Sequence, residues 1–135
     1  MITHILDTSV CSQPLKKKPQ MSAMRRWQSL GDSRCATATV CLAEIEWGLH
    51  KLASPRHWQL YHDVLQPSIH VTCPDSETWS RFALMKARQH QLGRSIADLD
   101  LLIAASAVQR NLILATLDAR HFSLVEGLRW EDWSK

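Results

Sequence analysis

Short, almost wholly apolar runs alternate along this chain with longer stretches whose apolar residues recur every three or four positions. Ile2–Leu6 form the first run and stop at Asp7-Thr8-Ser9, and Leu112–Ala115 form another that stops at Thr116-Leu117-Asp118. Runs of this length without alternation read as strands buried on both faces. Ile69–Thr72, ahead of Pro74, predicts a third strand, Cys35–Thr37 a weaker fourth, and Leu128–Trp130 an edge near the end. Between them, Met21–Leu30, Thr39–Leu52, Arg56–Leu65, Asp75–Gln91 and Ala97–Arg110 carry the spacing of a helix face. Strand and helix in alternation predict an α/β fold, a central mainly parallel sheet of four to five strands flanked by helices.

That order also predicts where chemistry belongs. In an open parallel sheet the loops and helix N-termini meet beyond the carboxyl ends of the strands, and sites form there. Asp7 and Asp118 each follow a predicted strand closely, so two carboxylates distant in sequence are expected on one rim. The segment Gln13–Gln20 holds two prolines around Lys16-Lys17-Lys18 and is expected to be an exposed loop.

Length and composition narrow the picture. With 135 residues, of which 45% are hydrophobic, the chain suits a single domain over 1–135 with one substantial core. MITHILDTSV has no basic region ahead of its apolar stretch and does not read as a secretory signal. The longest nearly apolar run, Leu101–Val108, is far shorter than the roughly 20 residues that span a bilayer, so a soluble protein with no membrane partner is expected. Cys11, Cys35, Cys41 and Cys73 show no C-x-x-C pairing and no zinc-type histidine spacing; they read as buried free thiols of a cytoplasmic protein. A net charge of +3 permits a polyanionic partner without requiring one.

Four acids stand out, and each has a plain structural explanation beside the chemical one. Asp7 would serve as a helix N-cap. Glu44 shares a helical stripe with Val40, Ala43 and Trp47, which are expected to pack inward, so its charge calls for compensation by a buried arginine or a metal; Glu46 points elsewhere. Ser95-Ile96-Ala97-Asp98 has the form of a capping box, which accounts for Asp98 and leaves Asp100, on nearly the opposite side of the helix, as the better site candidate. Asp118 would suit a turn. Carboxylates that converge repel one another and take up protons unless a cation compensates them, so a cluster would argue for Mg²⁺ or Mn²⁺ and a metal-dependent phosphodiesterase.

These segments together resemble a PIN domain, and more narrowly the VapC-type toxins of bacterial toxin and antitoxin pairs, over nearly the whole chain. Ile5-Leu6-Asp7-Thr8-Ser9 is similar to the family's opening strand with its first acid, and Ala43-Glu44-Ile45-Glu46-Trp47-Gly48 to its helix motif. Gly93-Arg94-Ser95-Ile96 followed by Asp100-Leu101-Leu102-Ile103-Ala104-Ala105 resembles the third acidic motif and selects Asp100 over Asp98. Thr116-Leu117-Asp118 with Phe122, then Gly127-Leu128 and Glu131-Asp132-Trp133, resembles the closing region, where the family often has Asn in place of Asp118.

The resemblance implies a three-layer PIN-like fold and an endoribonuclease dependent on Mg²⁺ or Mn²⁺. It implies metal held by Asp7 and Asp100, with Glu44 and Asp118 completing the acidic pocket as ligands or through water. It also implies a homodimer neutralised by a cognate VapB-like antitoxin whose flexible tail obstructs the pocket, with the apolar face of Met21–Leu30 as a candidate groove wall. An acidic pocket needs positive charge nearby to hold RNA, and Lys16, Lys17, Lys18, Arg25, Arg26 and Arg94 are the candidates. Six tryptophans could stack on bases, although most are expected in the core or an interface. Phosphoaspartyl hydrolases and receiver domains fit poorly, since the first strand ends in Asp-Thr-Ser and not in D-x-D or an acidic pair. The alternative of another class is a catalytically silent PIN-like module that binds RNA or protein without cutting.

Overall fold

The structure is a computed structural model describing residues 1–135. A five-stranded, wholly parallel sheet forms its centre, from β1 (His4–Leu6), β2 (Cys35–Ala38), β3 (His70–Thr72), β4 (Ile113–Thr116) and β5 (Trp130–Asp132) in the spatial order β3-β2-β1-β4-β5. Helices α1 (Thr8–Cys11), α2 (Met21–Leu30), α3 (Thr39–Leu52), α4 (Pro55–Leu60, extended by a wider π-type turn through Leu65), α5 (Ser76–Gln91), α6 (Asp98–Gln109) and α7 (Ala119–Phe122) make the connections. No helix is long and apolar enough to cross a membrane.

The apolar runs became strands because both faces of the sheet are covered. Alternate residues of β1 serve different layers. Leu6 packs with Val10, Leu15, Trp27, Leu42, Leu49, Tyr61 and Trp133 on one side, whereas Ile5 packs with Met85, Leu101, Ile103 and Leu114 on the other. The central helix α6 is buried from Leu101 to Ala107, so its uniform hydrophobicity reflects enclosure and not a surface stripe. Each fully buried Leu or Ile there contributes about 1.5–3 kcal/mol of burial, and a charge at Ile103 would break the layer.

Several expectations shift in detail. The fifth strand begins two residues later than expected and pairs in parallel with β4. The loop Gln13–Gln20 contains a single 3-10 turn at Gln13–Leu15, with Pro14 preset for it and Lys16 to Lys18 exposed beyond. Ser95 and Asp98 form no capping box: Ala97 occupies the N-cap of α6, no side chain caps it, and Asp98 pairs with Lys86 at 3.1 Å. The stripe assigned to Glu44 is also corrected. Ala43 and Trp47 are exposed, while Cys41, Leu42, Ile45 and Leu49 pack inward. Three thiols are buried, but Cys73 is exposed.

Candidate active site

The strand order reverses direction at β1, whose neighbours are β2 on one side and β4 on the other, so the chain leaves the sheet toward opposite faces after β1 and β4. A crevice opens at such a switch point, beyond the carboxyl ends of the strands. Leu6 lies opposite Ala115, and the next backbone N–H, that of Asp7, donates to the Ala115 carbonyl at 3.0 Å. Asp7 therefore stands beside Thr116 by register alone.

Asp7 is 6% exposed and heavily bonded. Its Oδ1 accepts from the Ser9 hydroxyl at 2.6 Å and the Val10 N–H at 3.1 Å, which makes it the N-cap of α1, as a plain structural reading expects. Its Oδ2 does more, accepting from the Thr116 hydroxyl of β4 at 2.6 Å. Thr116 Oγ1 in turn accepts the Asp118 N–H at 2.9 Å, and Ser9 Oγ accepts the Leu117 N–H at 3.0 Å. A small hydroxyl network thus ties the end of β1 to the loop after β4.

Glu44 joins through Thr8, whose hydroxyl donates to Glu44 Oε1 at 2.5 Å. Asp100 is half-buried in the first turn of α6, and its carboxylate takes part in no hydrogen bond or ion pair within the chain. Burial pushes its carboxyl up from the ordinary value, the charge of Asp118 adds to the rise, and His121 opposes it. Burial likewise pushes Asp7 up against the pull of its three hydrogen bonds, and the charge of Asp100 adds to that rise. Asp118 stands apart in character. It bonds to Arg120 at 3.3 Å and His121 at 3.2 Å, and those partners draw its carboxyl below the usual range.

The structure therefore couples Asp7 to Asp100 and Asp100 to Asp118 by charge, and Asp7 to Glu44 through the adjacent Thr8. Asp7, Glu44 and Asp100 have no Lys, Arg or His ion-pair partner, so the buried-arginine explanation for Glu44 lapses. No three carboxylates or imidazoles are grouped tightly enough to enclose a cation unaided. Oxygen donors, unpaired negative charge and sparse protein ligation suit Mg²⁺ or Mn²⁺, of which Mg²⁺ keeps several waters and takes only one or two carboxylates.

Thr116 was the site residue least visible in sequence, noted only as Asp118's neighbour. Its signal was a polar residue ending an apolar strand. The Thr8 hydroxyl, next in sequence to Asp7, orients Glu44 and not Asp7. The expected cations are spread out: Lys16, Lys17, Lys18, Arg25, Arg26 and Arg94 are all exposed. Trp27 and Trp133 are core residues, whereas Trp47 and Trp79 are exposed by 64% and 51%.

A wholly parallel α/β domain with Asp7 and Asp118 beyond the carboxyl ends of β1 and β4 defines the class. Residues 4–128 match the PIN domain, and the chain belongs to that family. It is 30% identical over 134 residues to the tRNA(fMet)-specific endonuclease VapC of Shigella flexneri, covering 99% of this chain and all of that protein. It is 25% identical to Ribonuclease VapC1 of Haemophilus influenzae strain R2866, with 98% of each chain covered. Among solved structures, the DNA-bound VapBC of Salmonella typhimurium superposes with a TM-score of 0.89 at 27% identity, covering 98% of this chain and 99% of that one.

Proposed function

We propose that this chain is a VapC-type toxin, an endoribonuclease dependent on Mg²⁺ or Mn²⁺ and held silent by a VapB-like antitoxin. The observation that carries the reading is the unpaired carboxylate of Asp100, brought by α6 into the field of Asp7 and Asp118. Full-length similarity to proteins named as ribonucleases and to toxins solved with their antitoxins supports it.

Asp7 and Asp100 would hold the ion, with Glu44 and Asp118 acting as further ligands or through water. A divalent ion bound there supplies a water of lowered pKa and neutralises charge developing on the phosphoryl oxygens. The chain's own contribution is orientation. Ser9, Thr116 and the Val10 N–H fix both oxygens of Asp7 and favour its ionised form, and Thr8 aims Glu44. Arg120, paired with Asp118, offers positive charge at the edge of an otherwise negative crevice, where a phosphate must approach.

The substrate in this reading is RNA, and the name of the Shigella relative makes initiator transfer RNA the first to test. Exposed Trp47, Val71 and Trp79 offer apolar surface for the homodimer that the family resemblance implies. The decisive experiment incubates the purified chain with a panel of structured RNAs in EDTA and after Mg²⁺ or Mn²⁺ is restored. Specific cuts that appear only with the metal are expected. Binding without any cutting, across the panel and in both metals, would favour the silent module instead.

A further inference from the structure

Asp118 differs from the other acids in what holds it. Arg120 donates its Nε–H to Asp118 Oδ1 at 3.3 Å, and His121 Nε2 lies 3.2 Å from Oδ2, so each oxygen already faces a nitrogen of α7. The oxygens of Asp7 face neutral hydroxyls and a backbone N–H, Glu44 faces the Thr8 hydroxyl, and the Asp100 carboxylate faces no partner. A divalent ion on Asp118 would sit beside a guanidinium, like charge against like. Asp118 nevertheless belongs to the crevice. Its N–H reaches Thr116 Oγ1 at 2.9 Å, that hydroxyl reaches Asp7 at 2.6 Å, and its charge adds to the rise of Asp100.

Arg120 is the unusual cation. Its side chain is 90% exposed, and Asp118 takes only the Nε–H, so both Nη groups are without a partner in the chain. Other arginines spend those groups inside the fold: Arg88 on Glu126 at 3.3 Å, Arg94 on the Leu124 carbonyl at 2.9 Å, Arg110 on the Cys73 carbonyl at 3.0 Å and Arg129 on the Asn111 carbonyl at 2.9 Å. The backbone beneath Arg120 is held on both sides. Upstream, the Asp118 N–H is bonded to Thr116; downstream, Phe122 and Val125 are buried, and Arg94 and Arg88 tie Leu124 and Glu126 to α5 and its following turn. An exposed pair such as Arg120 with Asp118 adds little to stability. It narrows where the guanidinium points. A guanidinium held by its Nε presents its remaining N–H donors as a fork, the geometry that grips two oxygens of one phosphate.

We infer that Arg120 grips a phosphate of the RNA strand at the mouth of the crevice, and that Asp118 is its anchor and not a ligand to the metal. This rests on the ribonuclease reading and sharpens it: Asp7 and Asp100 keep the ion, with Glu44 beside them, while Asp118 acts on the substrate through Arg120. Asp118 is then a positioning residue. Without its carboxylate the guanidinium keeps its charge but is free to take many rotamers, and the fork must be ordered anew each time a strand binds.

The test compares the wild-type chain with Arg120→Ala, Arg120→Lys, Asp118→Ala and the double variant Asp118→Ala with Arg120→Ala, using circular dichroism to confirm folding. Asp118→Ser, suited to a turn, replaces the alanine variant should that one fold poorly. Binding of a labelled single-stranded RNA is measured in EDTA across a salt series, and binding of Mn²⁺ alone by calorimetry. Arg120→Ala should weaken RNA binding about three- to tenfold and lower the slope of log K against log salt by about 0.7, the contribution of one single-strand phosphate. With Asp118 already alanine, the same change should cost less than about twofold, because the two residues act as one unit. Arg120→Lys should keep most of the slope and recover little of the affinity, since an ammonium is no fork. Asp118→Ala should bind Mn²⁺ within about threefold of wild type, the loss of one exposed charge, whereas Asp100→Ala should lose the ion. An Arg120→Ala cost that is the same in both backgrounds, or a loss of Mn²⁺ affinity beyond about tenfold in Asp118→Ala, overturns the anchor and leaves the nuclease intact. Wild-type RNA affinity and slope in Arg120→Ala overturn the grip in the same way. A wild-type chain that neither takes up Mn²⁺ nor cuts RNA overturns the nuclease reading itself.

Discussion

Asp7 serves two purposes with one carboxylate, and the cost of doing so is visible in its proton affinity. As a cap its Oδ1 would suffice; its Oδ2 is held by Thr116 in a setting that burial and Asp100 make hostile to charge. Both Asp7 and Asp100 are raised, so the folded chain retains protons there that the unfolded chain releases. The stability from these two groups is complete below the unfolded carboxylate value, near 3.8, and is lost as pH rises through the elevated folded values. A divalent ion favours the ionised form and reverses that loss. Asp100→Asn, which removes a half-buried charge without a partner, should therefore raise the metal-free melting temperature at neutral pH by about 2 °C, roughly 0.5 kcal/mol once solvent screening is discounted. Mg²⁺ should raise the melting temperature of the wild-type chain and leave Asp7→Asn and Asp100→Asn unmoved. Both variants should lose RNA cleavage by at least about 100-fold with unaltered circular dichroism. Undiminished metal-dependent cleavage in either would refute the assignment. In wild type, cleavage should fall as pH drops through the raised carboxyl values, since protons and the metal compete for the same oxygens.

The site depends on two elements meeting, and Thr116 is where β4 meets the end of β1. Its hydroxyl gives one bond to Asp7 and receives one from the Asp118 N–H while the residue is wholly buried. Thr116→Val keeps the shape but strands both partners, at about 1–3 kcal/mol. Cleavage should fall about 10–100-fold, the usual scale for losing a group that orients a metal-binding carboxylate, while Thr116→Ser should restore most of it. A valine variant as active as wild type would show that β4 does not position Asp7. The strands and long helices were legible because burial on two faces leaves continuous apolar runs and burial on one leaves stripes. Helices α1 and α7 were not, since four residues carry no periodicity. The inward face of α3 was misread because Trp47 looks like core by type, and only the placement of α3 against α1 and α4 decides that Ile45 and Leu49 go in. Glu46, expected only to point away from the stripe of Glu44, accepts the hydroxyl of the buried Tyr61 at 2.7 Å, a pairing across two helices that spacing could not announce. The candidate acids stand out in sequence by position at strand ends and by family resemblance; the Asp7 partners Ser9 and Thr116 are ordinary hydroxyls until register brings them to it.

At the scale of the whole molecule the charges divide. Asp7 and Asp118 lie beyond the carboxyl ends of β1 and β4, whereas the exposed Lys16, Lys17 and Lys18 project from the loop between α1 and α2. That loop is anchored at both ends: Gln13 Nε2 donates to the Ser9 carbonyl at 2.8 Å, and its Oε1 accepts the Gln20 N–H at 2.7 Å. One glutamine thus closes the loop immediately after the Asp7 cap, which keeps the three ammonium groups on the chain segment that leaves the crevice. A strand entering an acidic site benefits from such a cationic approach, through counterion release and not through any specific geometry. Replacing all three lysines with alanine should weaken RNA binding uniformly across sequences and flatten its salt dependence, by about 0.7 in slope for each phosphate lost. Cleavage at saturating RNA should be nearly unchanged, because the lysines attract the strand and take no part at the scissile phosphate. Titrations at several salt concentrations decide it, and a slope equal to that of wild type would remove this loop from the RNA path and shift the burden of attraction to Arg120 at the crevice edge.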